Sequence, residues 1–304
     1  MPDPSPVVAG IDIGGTTIKA GLVTREGAVR DRFTLPTAGF PDPRRLVTTL
    51  IEAIRMRLRG HVLVGVGVGA PNGNVYWGTI EQPPNLPWPG VTPLADWLAA
   101  EAGVPCVLTN DANAAALGEM LFGDAQGMRH FLLITLGTGV GSGIVVDGKL
   151  VAGHRGFAGE LGHVIVEPGG RLCGCGRRGC LEPYASANGF ERTYQDLTGT
   201  AREGEEVMAL AADGDALAQE TIDRTARVLG RALANSVAYT EPEAIFLFGG
   251  LASAGDQLLG PVREQFEAHL FPLYRGHVAL RCSGLHAGDA ALFGAASLIW
   301  TDQP

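Results

Sequence analysis

The chain has 304 residues, 46% of them hydrophobic and 18% charged, and carries a net charge of −9. That length and apolar share predict about two domains with proper cores, which excludes a disordered chain, and the acidic balance offers no basic footprint for nucleic acid. No apolar run approaches the ~18 residues of a membrane span and residues 1–6 carry no positively charged leader, so a cytoplasmic protein with no membrane partner is expected.

The 44 glycines are about twice the usual ~7% share without a collagen period, so many tight turns and close backbone approaches are expected. Apolar runs at 7–13 and 16–23 around Gly14 and Gly15 read as a β-hairpin. Leu46, Leu50, Ile51, Ile54 and Leu58 have the spacing of a helix over 44–59. A buried strand at 62–68 closes in a turn at 69–73, and 83–89 is a loop. A helix is predicted over 92–103, capped by Thr92 and stopped by Gly103. A strand at 105–109 and a helix at 111–122 follow. A strand at 131–136, a glycine turn at 137–141 and a return at 144–146 repeat the first hairpin about 120 residues later, by pattern rather than identity. The stretch 153–179 reads as loop. Helices at 186–197, 202–213 and 215–239, a strand at 244–248 and a final helix at 287–300 complete the chain. Strands alternating with helices predict the α/β class with a largely parallel sheet.

Several groups of residues carry chemistry. Asp12, Gly14, Gly15, Thr16, Thr17 and Lys19 surround the first turn. Glycine lets backbone N–H groups approach an anion, the threonines add hydroxyls, and Asp12 offers a hard oxygen for Mg²⁺. An ordinary hairpin turn is the plain alternative, and no helix follows as in a Walker loop. Thr138, Gly139, Gly141 and Ser142 repeat this chemistry, which suits a nucleoside triphosphate held by two turns. Gly249 and Gly250, after a buried strand, are a third candidate, for the purine end. Asn110 and Asp111 open an Ala-rich helix: either a cap worth ~1 kcal/mol, or a base that takes a proton from a hydroxyl nucleophile. His163, Cys173, Cys175 and Cys180 are a closed tetrahedral ligand set for structural zinc, although the single residue between Cys173 and Cys175 departs from the paired knuckle. Glu160 and Glu182 bracket that loop as acceptors for a polyol or as plain surface and capping carboxylates.

These motifs, in this order, resemble the ROK family of repressors, open reading frames and sugar kinases, and within it the bacterial ATP-dependent glucokinases. The combined Glu-x-Gly-His and Cys-x-Cys-Gly-x-x-Gly-Cys-x-Glu pattern is the specific part. The resemblance implies an actin-like, ribonuclease-H-like two-lobe sugar kinase fold with a zinc-binding loop at 160–182. Its lobes would be 1–118, joined by a C-terminal helix at 287–304, and 119–286. It implies Asp111 as the base toward a hexose 6-hydroxyl. Asn110, Asp111, Glu160, His163 and Glu182, with Asn72 and Asn85, would hold the sugar, and His163 would meet zinc through one ring nitrogen and sugar through the other. ATP and Mg²⁺ would be held by Asp12 and the two glycine turns, and zinc by His163, Cys173, Cys175 and Cys180. Only eleven residues precede Asp12, so the DNA-binding domain of family repressors is not expected. A homodimer or homotetramer is expected by resemblance.

The expected reaction is transfer of phosphate from ATP to a hexose, with glucose first. N-acetylmannosamine, N-acetylglucosamine, fructose and mannose are the rival acceptors, and polyphosphate is a rival donor. A sugar-sensing binding protein and a chaperone-like ATPase are the readings from other classes.

Overall fold

The computed structural model describes residues 5–285 and 289–301. Its contacts divide the chain into two compact units, one of Met1–Gly127, Lys149–Ala158 and Gly284–Pro304, the other of Met128–Gly148 and Gly159–Ser283.

The first unit begins with an antiparallel hairpin, β1 (Pro6–Ile13) and β2 (Thr17–Val23), extended by β3 (Val29–Pro36). Helix α1 (Pro43–Arg57) leads to β4 (Val62–Ala70), which is parallel to β1. A small antiparallel sheet of β5 (Gly73–Asn74), β6 (Thr79–Glu81) and β7 (Val91–Thr92) precedes α2 (Leu94–Ala102). Strand β8 (Cys106–Asn110), parallel to β4, passes directly into α3 (Asp111–Phe122). The main sheet therefore has the order β3-β2-β1-β4-β8. Burial follows that order. Val7, Val8, Ala9, Ile11 and Ile13 are all buried, as a central strand covered on both faces requires, whereas β3 alternates half-buried and exposed residues along its length, the pattern of an edge.

In the second unit β9 (Phe131–Leu136) and β10 (Val140–Val146) are antiparallel; the two-residue β11 (Lys149–Leu150), next in the chain, belongs to the first unit. Four helices come next: the short α4 (Glu182–Ala185), α5 (Ala187–Thr198), α6 (Gly204–Ala212) and α7 (Ala216–Thr240). Strand β12 (Ala244–Phe248) runs parallel to β9. After α8 (Asp256–His269), β13 (Ala279–Cys282) runs parallel to β12. Side by side the strands read β10-β9-β12-β13. Along α7, Ala218, Ile222, Ala226, Leu229, Leu233 and Val237 form a buried stripe at three- and four-residue spacing, which explains its length and its face. Ser186 and Asp215 cap α5 and α7 by accepting from Gly189 N and from Leu217 and Ala218 N.

The final helix, α9 (Ala290–Trp300), packs on the first unit's sheet. That approach depends on two glycines. A Cβ at Gly10 would stand 2.4 Å from the Leu292 carbonyl oxygen, and one at Gly67 only 1.8 Å from that of Ala295, so the helix backbone rests directly on the strands. Residues 287–288 and 302–304 of the predicted C-terminal helix lie outside the described residues.

Several sequence expectations are corrected. Thr92 does not cap α2: it pairs with Ile80 in the small sheet, and the helix starts at Leu94 after Pro93, with no side-chain cap. Strand β10 starts at Val140 rather than 144, because Val140 and Gly141 already pair with Leu136 and Thr135. The main sheets are mixed rather than largely parallel, since each opens with an antiparallel hairpin. Strand β3, helix α8, strand β13 and the small sheet were not predicted. No helix among the described residues is long and apolar enough to cross a membrane.

Candidate active site and metal cluster

The strand register brings two carboxylates to the same end of the first unit's main sheet. Asp12 pairs with Gly69 across β1 and β4, and Gly69 pairs with Thr109 across β4 and β8. Asp12 and Asp111 thus stand at the carboxyl ends of β1 and β8, with one strand between them, about 10 Å apart by two strand spacings. A Cβ at Gly69 would lie 3.6 Å from Asp111 Cα and 4.0 Å from Asp12 Oδ1, so the missing side chain leaves space that both acids adjoin. Burial pushes the Asp12 carboxyl up to about 6; the negative charge of Asp111 adds to the rise, and Lys19, its partner across β1 and β2, opposes it. Asp111 is also raised, chiefly by loss of solvation among surrounding protein although water reaches the residue, against the pull of the Ala112 N–H and its own.

Capping and a free carboxylate oxygen coexist at the start of α3. Asn110 Oδ1 and Asp111 Oδ1 both accept from Ala112 N at 2.8 Å. Asn110 is therefore the helix cap that its type suggests, while no hydrogen bond of this pair engages Asp111 Oδ2. In the first turn, Gly14 N donates to Thr17 O at 3.0 Å, and Thr37 Oγ1 donates to Gly14 O at 2.7 Å. Thr16 and Gly15 are exposed at the tip, and a Cβ on Gly15 would touch Asn85 at 3.0 Å, which brings Asn85 to this turn. Asn72 adopts φ 52°, and its amide donates to the Glu81 and Gln82 carbonyl oxygens at 3.0 and 3.1 Å. Its donors are spent on the chain, which leaves only its oxygen for a ligand.

In the second unit the turn of residues 137–139 lies at the end of β9, and Gly249 and Gly250 follow β12, the neighbouring parallel strand. Gly249 has φ 110°, and a Cβ there would lie 2.7 Å from Leu136 O, so the two glycine turns meet at one end of the sheet. Thr138 is exposed at the tip, while Gly141 N donates to Thr135 Oγ1 at 3.0 Å. Ser142 is not a phosphate donor. It is 4% exposed, its hydroxyl donates to Gly159 O, and it accepts from Leu161 N at 3.3 Å. Those bonds pin the segment carrying Glu160 and His163 to β10. Gly162 completes the docking, since a Cβ there would lie 2.1 Å from Val140 O, which accounts for the glycine in Glu-Leu-Gly-His.

The ligand atoms of His163, Cys173, Cys175 and Cys180 all lie within 4.8 Å of one another. A knuckle builds the site: Cys173 N donates to Arg177 O, Gly176 turns with φ 85°, Leu172 bridges to Arg178, and Ile165 bridges to Cys180. Arg177 then donates to the His163 carbonyl at 2.8 Å. The thiols are poised unequally: burial pushes Cys173 up to about 12, while the Arg177 backbone N–H draws Cys175 down to about 6. Three sulfurs and one imidazole at this separation fit a closed tetrahedral zinc site. His163 Nδ1 is 3.6 Å from Cys173 Sγ, and its Nε2 is 3.9 Å from Glu160 Oε2, so one nitrogen serves the cluster and the other faces a carboxylate. Glu182 is already engaged: Oε2 accepts from Val140 N at 3.1 Å, and Oε1 is 3.6 Å from Cys173 Sγ.

One residue of the frame escaped the sequence reading. Asn74, 1% exposed, donates to Glu81 Oε1 at 3.0 Å and to Arg155 O at 2.9 Å, tying down the segment that leads to Glu160. Only its place in an Asn-Gly-Asn turn hinted at this.

A profile of the ROK family matches residues 8–302. The chain is 38% identical over 311 positions to a glucokinase of Halalkalibacterium halodurans, covering 95% of this chain and 94% of that protein. It is 34% identical to an N-acetylmannosamine kinase of Salmonella typhimurium, covering 96% and 98%. A ROK family glucokinase from Streptomyces griseus, solved in complex with glucose and AMPPNP, superposes with a TM-score of 0.81 at 36% identity, over 96% of this chain and 98% of that one. The mixed α/β architecture is that of the ROK sugar kinases. With its carboxylate pair, its glycine turns and its Cys-His cluster carried on a chain so matched, the protein belongs to the ROK family.

Proposed function

We propose that this protein transfers the terminal phosphate of ATP to the 6-hydroxyl of a hexose, with glucose as its substrate. The observation that carries this reading is the Asp12–Asp111 pair at the carboxyl ends of the two strands that flank β4 in one sheet, on a chain 38% identical to a glucokinase. Asp111 acts as the base. Its Oδ1 is oriented by the Ala112 N–H, so Oδ2 is left to accept the hydroxyl proton, and loss of solvation raises its basicity. Asp12, a buried carboxylate beside a second acid, has the hard oxygen that suits Mg²⁺. Magnesium supplies neutralisation of the phosphate charge. Glycine turns 14–15, 137–139 and 249–250 hold the nucleotide, with Thr16, Thr17, Thr138 and Gly141 beside them. Glu160 and His163 Nε2 accept and donate to sugar hydroxyls, together with Asn110, Asn85 and the Asn72 oxygen. His163, Cys173, Cys175 and Cys180 hold zinc, which supplies order to the loop that presents them.

Activity on a panel of glucose, mannose, fructose, N-acetylglucosamine and N-acetylmannosamine, followed by coupled ADP release, tests the assignment. Glucose should give the highest kcat/KM. Equal or better use of an N-acetylated sugar would favour the second reading, an N-acetylmannosamine kinase, for which the 34% identical relative speaks. The same preparation in sedimentation equilibrium tests the homodimer or homotetramer that belongs to this reading.

A further inference from the structure

The four ligands of the cluster come from two separate stretches of chain: His163 ends the short helical turn Leu161–His163, and the cysteines lie within residues 173–180. Arg177 joins the two. Its carbonyl oxygen accepts from Cys173 N at 2.8 Å and so closes the cysteine turn, while its guanidinium donates to the His163 carbonyl oxygen at 2.8 Å. A single residue thus holds a backbone group of the first cysteine and of the histidine. The same cation faces the other sulfurs: Cys175 beside it, and then the charge of Cys180, hold its proton more tightly than usual. Arg178, next in the chain, carries an equal charge but donates to Gly170 O at 3.3 Å, which belongs to no ligand residue.

We propose that Arg177 is a positioning residue of the metal site, one that clamps the His163 segment to the cysteine turn, offsets the charge of the loaded centre and so raises zinc affinity. This rests on the reading of the cluster as a zinc site. Three thiolates and a neutral imidazole around a divalent ion leave one net negative charge, and a guanidinium beside them carries a permanent positive one. What the cation donates survives metal binding. The His163 carbonyl oxygen is not a ligand atom, and a metal-bound thiolate can still accept an N–H. The clamp also acts before the ion arrives, because it restricts two stretches of chain that the ion must otherwise gather at a cost in conformational entropy. A second tie needs no cation: Leu181 N donates to Val164 O at 3.0 Å, and Ile165 bridges to Cys180. Loss of Arg177 therefore weakens the site and leaves its ligand set in place.

The test is the zinc affinity of the full-length protein, measured by equilibrium competition with a colorimetric chelator, for wild type, Arg177→Gln, Arg177→Lys and Arg178→Gln. Cobalt(II) spectra of the same four proteins accompany it. R177Q should bind zinc about tenfold more weakly than wild type, the low end of what partners outside the ligand set contribute. R177K, which keeps the charge and an N–H donor, should lose less than about threefold. R178Q removes an equal charge from the same turn without releasing a ligand residue, and should stay within about twofold of wild type. All four should show the same visible cobalt absorption of a tetrahedral site of three sulfurs and one nitrogen, since no ligand is changed. The inference is overturned by R177Q within about twofold of wild type, by R177K or R178Q as weak as R177Q, or by an altered cobalt spectrum in R177Q, which would mean that the ligand set itself had changed. Wild type that takes up no zinc overturns the metal reading itself, and this inference with it.

Discussion

Asp111→Asn separates the two roles that one residue type can play at a helix start. The substitution keeps an Oδ1 to accept from Ala112 N, and Asn110 Oδ1 accepts the same N–H at 2.8 Å, so the first turn of α3 loses no cap. Stability at neutral pH should not fall, since no cap is lost and a charge that burial disfavours is removed. What is lost is a proton acceptor on Oδ2. Removing a general base lowers turnover by about 10²–10⁴-fold, equivalent to roughly 3–5 kcal/mol in the barrier at 1.36 kcal/mol per decade. The neighbouring acid reports the same change: Asp111 helps to hold Asp12 up at about 6, so the Asp12 carboxyl should titrate lower in the variant. The assay is kcat by coupled ADP release with glucose, alongside equilibrium glucose binding by intrinsic fluorescence and a thermal melt. Glucose affinity should hold within a few-fold. A well-folded variant that keeps more than a tenth of wild-type kcat would refute the argument, and Asp111 would be left as a second cap.

Asp12 makes stability depend on pH in the direction opposite to a salt-bridged carboxylate. Its folded pKa of about 6 lies above the ordinary 3.8, so the folded chain holds the proton more tightly than the unfolded one. The cost of ionising it is absent below about pH 4 and fully present above about pH 6, and amounts to ~1–3 kcal/mol. Asp12→Asn should therefore raise the melting temperature at pH 7.5, leave it unchanged at pH 4, and abolish Mg²⁺-dependent nucleotide binding. A variant that melts lower at pH 7.5 would contradict the burial argument. Cys175→Ser removes an exposed ligand, and elemental analysis should show zinc falling from about one per chain to near zero; undiminished zinc would place the ion elsewhere. Two glycine-to-alanine changes should move stability in opposite senses. Gly67→Ala meets the Ala295 carbonyl at 1.8 Å and should cost about 3 kcal/mol or more, whereas Gly260→Ala, in α8 with nothing within 4 Å, should stabilise by about 0.5–1 kcal/mol. Chemical denaturation of both variants checks the pair.

Elements whose apolar residues keep a single period were legible from sequence. Helix α7 was expected at 215–239 and runs Ala216–Thr240, because its stripe never breaks and Asp215 marks its start. Helix α8 was not expected, since Pro261 sits inside it and reads as a breaker that removes one backbone N–H bond. Strand β3 escaped because charged residues fill the positions an edge leaves open. Strand β10 was cut short because glycines hide a ladder that is made by backbone alone. Thr92 failed as a cap for a different reason: cross-strand pairing with Ile80 claimed it first, and no local rule weighs a partner twelve residues away.

The candidate site shows the same division at finer grain. Residue type and spacing located the acids at strand ends and the four ligands of the cluster, since both rest on chemistry that few side chains can supply. They could not say where a polar side chain spends its bonds. Ser142 and Asn72 both read as groups for a ligand, yet Ser142 is consumed by Gly159 and Leu161, and the Asn72 amide by two carbonyl oxygens. A short polar group near a glycine turn has backbone donors and acceptors at hand before any ligand arrives, and satisfying them is worth about as much as binding would be. Asp111 escapes this fate in part because Asn110 shares the Ala112 N–H with it. That doubling of one cap frees a carboxylate oxygen, and it makes the dipeptide Asn-Asp, rather than the aspartate alone, the unit that a sequence can be searched for.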